Sequence, residues 1–570
     1  MKKIKSLACI ALVGLSVSSC KDFLTLMPLN DIVLENFWTD MNDVESVLLG
    51  SYAALESSDC VMRMLVWGEM RSDNVVKGSG TPETIEQILE DDILSTNDYV
   101  KYKCFYDVIN RANTVLHFAK EVEDPNYSPG ELAANEAEAT ALRCLSYWYL
   151  IRAYKDVPYV TEPSIDDTRD FFIGQSPFDS ILNCLIADLE SVKRYAPNKY
   201  PTELANTSRI TRATIYAMLA DMYLWRGDWD KCIENCDSVT SRKMVEYKEI
   251  LHDEGTSCMI DLYGKNADIP LLREMFQSSS GPRLGYAYSE IFGSGNSFET
   301  LFELPFGQGV EHPFVKKYYC DKTQTGGYSG GYLKGSKMAS KDIWIQKYDG
   351  RYYQDIRSAQ SDDDFIVKYV YETLEYDLTS GTIDMTNLSN NKKFKATQRN
   401  NSEPNWIIYR YTDVLLMKAE ALVMKAKDDG VDQDSCFKAA FDLVDAVNKR
   451  ALGKYSGGGY SGADYLDYNK YSLSVDAMEE LVLDERRREL MFEGKRWFDL
   501  TRKSMRDGNT SYMWKKIQNK FDSSSSNAVR IKMTDLNALY FPIYKDEIKI
   551  NNKLKQNPVY VEDEFIKKAE

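Results

Sequence analysis

Three glutamates near the C-terminus recur at four-residue intervals, at Glu485, Glu489 and Glu493. Neighbouring carboxylates cleave glycosidic bonds by acid–base catalysis when the pKa of one of them is raised. The same segment also contains arginines, of which Arg486, Arg488 and Arg496 lie close enough to pair with these glutamates. Residues four apart share one face of a helix, and an arginine beside a carboxylate lowers the pKa of that carboxylate. The pattern therefore predicts structural ion pairs and no catalytic residue.

Tyrosines in glycine-rich loops are the second group of residues whose chemistry could serve a function. A sugar ring has an apolar C–H face that an aromatic ring covers, and a hydroxyl edge that Asn, Asp or Arg side chains bond. The same tyrosines could instead pack the loops against the protein body, since the chain contains 38 of them. We predict a ligand-binding site that includes Tyr286, Tyr288, Tyr328 and Tyr332, with Tyr99 or Trp344 as a further contributor.

The segment 71–74 is a polar cluster that lies shortly after the apolar run 64–67. Such a cluster forms either a turn whose side chains bond one another or the floor of a ligand site. Both interpretations stay open, and Arg71, Asp73 and Asn74 are therefore further candidates for ligand binding.

The cysteines and histidines do not form a metal-binding pattern. Most of the 11 cysteines are dispersed singly, and the 3 histidines lie far apart in the sequence. Cys232 and Cys236 share one face of a predicted helix, where two small buried hydrophobic residues are the expected structure. We predict no metal site and no cofactor.

The N-terminus is typical of a secretory signal that ends at a cysteine. Three lysines precede an apolar stretch at 7–17, and two serines lead to Cys20. About a dozen apolar residues are too few to span a bilayer, which takes roughly 20 in a helix. We predict that residues 1–19 are removed and that Cys20 carries lipid, which would anchor the protein to a membrane. The net charge of −17 argues against nucleic acid and anionic lipid surfaces as ligands.

Helical periodicity dominates the rest of the chain. It predicts helices at 102–122, 131–154, 177–195, 212–225, 229–241, 405–427, 434–450 and 475–503. Small residues at helical spacing, with Gly227 between two segments, resemble a tetratricopeptide helix-turn-helix pair, and 411–451 repeats the pattern. The expected fold is mainly α, with tetratricopeptide-like helix pairs forming a scaffold and an irregular, loop-rich, minor β insertion. We predict a single body at 20–570, with the scaffold mainly at 40–242 and 404–505 and the ligand-facing insertion at about 243–403.

The C-terminal motif E-R-R-R-E-L-x2-E-G-x-R-W-x-D-L-x-R at 485–502 resembles the signature of the SusD/RagB family. The resemblance continues at 541–548, at 554–560 with Val559 in place of a glycine, and at 410–416, 211–214 and 69–74. It spans both ends of the chain and leaves the middle unmatched.

This resemblance implies a non-enzymatic lipoprotein, exposed on the outer membrane, that binds an oligosaccharide and passes it to a SusC-like TonB-dependent transporter. It also implies that the carboxylate motif packs against repeat helices, with Trp497 and Phe498 in the core. Two alternatives are a RagB-type peptide-binding uptake lipoprotein and, less favoured, a surface glycosidase. A third is a repeat scaffold for other surface proteins that binds no small ligand.

Overall fold

The computed structural model describes residues 37–165, 172–279, 281–307, 309–322, 328–337, 345–348, 351–354, 366–377, 394–398, 403–429, 433–451, 466–522 and 525–561. The predicted leader at 1–19, Cys20 and Trp344 lie outside these ranges, as does the side chain of Tyr328.

Helices account for most of the described chain. In chain order, α1 to α18 are Met41–Leu55, Ser58–Leu65, Glu83–Leu89, Lys103–Phe118, Pro129–Tyr154, Phe178–Val192, Glu203–Ser208, Arg212–Arg226, Trp229–Glu254, Tyr286–Tyr288, Tyr411–Asp429, Gln433–Ala451, Tyr468–Tyr471, Val475–Leu490, Arg496–Asp507, Ser511–Ile517, Ser526–Lys532 and Lys545–Ile550. The predicted mainly α fold is confirmed.

The strands are short. In chain order, β1 to β16 are Val75–Lys77, Val157–Pro158, Gln175–Ser176, Ile260–Tyr263, Ile269–Leu272, Met275–Ser278, Gly281–Leu284, Thr300–Leu304, Asp321–Lys322, Tyr328–Ser329, Leu333–Gly335, Ile345–Tyr348, Arg351–Gln354, Tyr371–Asp377, Phe394–Gln398 and Trp406–Arg410. One sheet has four strands, in the order β15-β14-β7-β6, and the others are two-stranded.

The predicted helix pairs are present as α8–α9 and α11–α12. Thr211 caps α8 in a capping box with Thr214, and Gly227 ends that helix at φ +80°, a conformation that costs glycine little. Asp228 then caps the first turn of α9. The thiols of Cys232 and Cys236 on α9 are both fully buried, as expected. Helix α9 continues to Glu254, past the predicted start of the insertion at 243.

Two predicted helices, 405–427 and 475–503, were wrong in part. Residues 406–410 form strand β16, which pairs with β8 and is buried along its whole length. A strand buried on both faces reads as a continuous apolar run, which periodicity does not distinguish from a helix. The predicted helix 475–503 is divided into α14 and α15 by a turn at Phe492 and Gly494, with φ of +67° and +70°.

Close backbone contact explains the glycine at position 68, which lies opposite this turn. A Cβ on Gly68 would lie 1.7 Å from the carbonyl oxygen of Gly494, so the turn packs directly on the segment before β1. The Glu69 carboxylate accepts hydrogen bonds from the N–H groups of Phe492 and Gly494, at 3.3 and 3.0 Å. Trp497 and Phe498, which follow the turn, are 1 % and 3 % exposed, so their predicted place in the core is confirmed.

Candidate functional site

Only part of the ion pairing around the C-terminal glutamates is local. Glu485 pairs with Arg488 on the same helix, with 3.0 Å between Nε and Oε2. Arg486 instead binds Asp499 on α15, with hydrogen bonds of 3.1 and 3.0 Å. The four-residue spacing therefore predicted that these charges would be paired, but it did not identify every partner.

Glu489 and Glu493 take their partners from distant segments. Arg410 of β16 donates two hydrogen bonds to Glu493, at 2.9 and 2.8 Å, and one to Glu489 at 2.7 Å. Arg450 of α12 donates to Glu489 at 2.6 Å, and Lys368 donates to Glu493 at 2.6 Å. These contacts join β16, α12, the end of α14 and the insertion in one buried network.

The network is balanced in charge and closed to solvent. Arg450 also pairs with Glu299 at 2.6 Å, which gives three carboxylates and three cations with side chains at most 4 % exposed. Burial alone would raise the pKa of Glu493, but Arg410 and Lys368 outweigh it and lower that pKa. An ionised, enclosed carboxylate has no proton to donate and no path to a substrate. This geometry suits structural support.

The polar cluster at 71–74 is also internal. Arg71, Asp73 and Asn74 are 2 %, 1 % and 0 % exposed. Arg496 binds Asp73 through two hydrogen bonds of 2.7 and 3.0 Å, and the Arg71 guanidinium lies 4.2 Å from the centre of the Trp497 ring. Burial raises the pKa of Asp73, but Arg496 outweighs it and the net pKa falls to about 2. The geometry favours the turn over the floor of a ligand site, and we leave these three residues out of the proposed site.

Two of the predicted tyrosines do come together, around a third that the sequence analysis missed. The hydroxyl oxygens of Tyr99 and Tyr318 are 2.8 Å apart, and the rings of Tyr318 and Tyr332 meet edge to face with centroids 5.3 Å apart. Tyr99 and Tyr332 are half-buried, whereas Tyr318 is 7 % exposed. Tyr99, Tyr318 and Tyr332 are called the tyrosine cluster below. Two of its rings reach the surface and the third supports them.

Hydrogen bonds to the backbone fix the segments that carry Tyr99 and Tyr332. Asn97 accepts a hydrogen bond from the Tyr99 N–H at 2.9 Å, and the Trp67 indole donates to the Tyr99 carbonyl at 2.8 Å. The Tyr332 carbonyl accepts from the Gly78 N–H at 2.9 Å, just beyond the point where β1 and β11 pair. A Cβ on Gly78 would lie 1.9 Å from the carbonyl oxygen of Gly331, so this close approach requires glycine.

The segment that carries Tyr318 is tied to the C-terminal turn. Tyr319 is fully buried and its hydroxyl donates to the Phe492 carbonyl at 2.7 Å. Burial, with the hydrogen bond to Tyr99, raises the pKa of Tyr318, so its hydroxyl stays protonated near neutral pH. Exposed polar residues adjoin the cluster in the chain: Asp98 precedes Tyr99 and pairs with Lys101, with its side chain 70 % exposed, and Ser79 lies on the segment that bonds the backbone next to Tyr332. The surface thus combines aromatic faces with hydrogen-bonding groups.

The other predicted tyrosines occupy different surroundings. Tyr288 is 6 % exposed, packs against Phe292 with ring centroids 5.4 Å apart and donates to the Val367 carbonyl at 3.4 Å, so it belongs to the core. Tyr286 is half-buried, and burial with the nearby Glu290 carboxylate raises its pKa to about 12. The backbone of Tyr328 lies in β10, paired with β9.

No metal-binding group of three or more His, Cys, Asp or Glu side chains occurs in the described ranges. Within the same residues, no helix is both long enough and apolar enough to cross a membrane.

Comparison with known proteins matches both halves of the chain to related families. Residues 288–560 match the model described as "SusD family", and residues 23–224 match one described as "Starch-binding associating with outer membrane". A SusD-like protein of Formosa agariphila, P38, is 24% identical over 530 residues, covering 88% of this chain and 92% of its own length.

Solved structures have the same fold. A SusD superfamily protein from Bacteroides vulgatus superposes with a TM-score of 0.63 at 17% identity, over 92% of this chain and 100% of its own. Surface glycan-binding protein A from Bacteroides uniformis superposes with a TM-score of 0.58 at 19% identity, over 91% of this chain and 100% of its own. These structures show the fold, and the two family models, which match 23–224 and 288–560, establish that the chain belongs to the SusD family.

Proposed function

We propose that this SusD-family chain is a cell-surface lipoprotein that binds an oligosaccharide at the tyrosine cluster. We propose that it catalyses no reaction on this ligand. It would instead hand the ligand to a SusC-like TonB-dependent transporter. The observation that carries the proposal is the meeting of Tyr99, Tyr318 and Tyr332 from three separate segments at one point of the surface.

The chemistry of the cluster suits a sugar. Rings held edge to face cannot rotate freely, so stacking a pyranose on them costs little conformational entropy. The exposed Asp98–Lys101 pair next to Tyr99 in the chain, and the exposed Ser79, supply groups that can bond the hydroxyl edge of the sugar. Support for a glycan ligand also comes from the starch-binding description of the matched N-terminal model and from the name of the Bacteroides uniformis protein.

The proposed location rests on two features. The matched N-terminal model is described as associating with outer membrane. The sequence up to Cys20 fits a leader that ends at a lipid-modified cysteine. Lipid on Cys20 would hold the binding domain at the membrane surface, where a transporter partner could receive the ligand.

Tyr332→Ala tests the proposal. The variant should bind the preferred glycan about 1–3 kcal/mol more weakly, because an aromatic contact at the centre of a small site is removed. Its stability should fall by about 1–2 kcal/mol, from the lost aromatic pair with Tyr318 and the area of a half-buried ring, which is less than the ~3–5 kcal/mol for a fully buried aromatic residue. Calorimetric titration of a panel of neutral oligosaccharides and peptides, with melting curves for each protein, measures both effects.

Tyr286→Ala is the matched control, since Tyr286 is another half-buried tyrosine, at the start of α10 and outside the cluster. Unchanged affinity in Tyr332→Ala, with a loss in Tyr286→Ala, would place the site at Tyr286 instead. Binding of peptides but no oligosaccharide would replace the glycan with the RagB-type alternative.

A further inference from the structure

A cleft of about 690 Å³ opens between the β4–β5 hairpin, helix α12 and the start of α13. None of these elements carries a residue of the tyrosine cluster. Pockets that hold small ligands are typically of roughly this size, ~300–1,000 Å³. This cleft is large enough for more than one sugar ring. It is called the second cleft below, because it is separate from the tyrosine cluster.

An aromatic corner forms one wall of the second cleft. The Tyr468 ring meets Phe441 edge to face, with centroids 5.3 Å apart and an interplanar angle of 78°. The Lys438 ammonium lies 5.1 Å from the centre of the Phe441 ring and 5.0 Å from that of Tyr468. The Tyr468 hydroxyl donates to the Asp434 carbonyl at 3.4 Å. Tyr468 is only partly buried, so its fixed ring can contact a ligand.

The polar lining is mixed and almost neutral. Four aspartates and three lysines face the cleft, and they pair locally: Lys438 with Asp442 at 2.8 Å and Lys449 with Asp445 at 2.6 Å. Asp261 in the hairpin forms an ion pair with Arg273 at 2.8 Å. Such a lining offers both donors and acceptors without a net field that would attract a multiply charged ligand. Sugar hydroxyls both donate and accept hydrogen bonds, so this chemistry matches a neutral saccharide.

We infer that the second cleft is a further saccharide-binding site, in which Tyr468 stacks on a neutral pyranose and the flanking aspartates and lysines bond its hydroxyls. The inference rests on the proposed glycan-binding function for the class of ligand, but it does not depend on the tyrosine cluster as the first site. Two sites would let one chain hold two segments of a glycan at once, which raises the overall affinity without a new contact at either site.

The test is calorimetric titration of the full chain in detergent with maltoheptaose, cellohexaose, xylohexaose and mannohexaose. We expect at least one of them to occupy two sites on the wild type. Tyr468→Ala should weaken one of these by about tenfold or more, as loss of a central aromatic contact does, and leave the other unchanged. Tyr332→Ala should have the reciprocal effect. Tyr471→Ala, which changes a partly buried ring of the same short helix that does not line the cleft, should retain both sites.

Each outcome decides between the two proposals. Wild-type stoichiometry and affinity in Tyr468→Ala, or complete loss of binding in Tyr332→Ala, overturns the second site and leaves the proposed function standing. Loss only in Tyr468→Ala supports the second site and overturns the first. No binding of any of the four sugars to the wild type overturns both. If Tyr468→Ala does not fold, Asp442→Asn, at a partly exposed pair, replaces it with the same expected outcomes.

Discussion

Glu489→Gln should destabilise the protein by about 3 kcal/mol at neutral pH. Glu489 is 4 % exposed and accepts hydrogen bonds from Arg410 and Arg450, at 2.7 and 2.6 Å. Its loss leaves three buried cations facing two carboxylates, and breaking a buried pair in this way costs ~3–5 kcal/mol. Glutamine keeps the size and one acceptor oxygen, which places the expected loss at the lower end.

The free energy of unfolding, measured by urea titration with circular dichroism, gives this loss directly. Glu480→Gln is the matched control on the same helix, because its side chain is 44 % exposed and pairs with Lys516 at 3.2 Å. The loss should be at most about 1 kcal/mol, because the Glu480 carboxylate is largely solvated and Lys516 keeps its second partner, Asp484, at 3.0 Å. The double variant Glu489→Gln/Arg450→Gln should lose less than the two single losses combined, since the two side chains interact directly.

Two results would refute the structural role. One is a Glu489→Gln variant within about 0.5 kcal/mol of the wild type, which is the ordinary range for an exposed substitution. The other is release of reducing ends from polysaccharides by the wild type, lost in a Glu489→Gln variant that remains folded. The second result would assign the carboxylates to catalysis.

Two further predictions concern the anchor and a buried carboxyl group. Cys20→Ala should move the protein from the membrane to the soluble fraction with its melting temperature unchanged, and membrane retention in cells that lack the transporter would contradict lipid anchoring. Burial raises the pKa of Glu303 from 4.5 to about 7, so the folded chain keeps a proton between these values that the unfolded chain releases. Glu303 therefore lowers stability as pH rises through that window, and Glu303→Gln should be more stable than the wild type at pH 7 by on the order of 3 kcal/mol, with almost no difference near pH 4.5. Urea unfolding of both proteins at several pH values measures the difference, and a difference that does not vary with pH would contradict the assignment.

The sequence by itself determined the family and most of the helical scaffold. The motifs at 485–502 and 410–416 lie in the chain as contiguous patterns, and helical periodicity depends only on neighbours three and four residues apart. The end of α8 at Gly227 was equally readable, because a helix C-cap depends on local backbone geometry.

Only the tertiary structure decided which side chains meet. Arg410 and Arg450 reach Glu489 from 79 and 39 residues away, and no local spacing predicts that. The sequence left open whether Asp73 belongs to a turn or to a ligand site, and in the structure Arg496, 423 residues further along the chain, binds its carboxylate. Tyr318 lies outside the glycine-rich loops in which the ligand-binding tyrosines were predicted. Its hydroxyl forms a hydrogen bond with that of Tyr99, 219 residues away in the sequence. Contacts of this kind depend on how helices and strands pack, because packing brings together side chains whose separation along the chain carries no periodic signal.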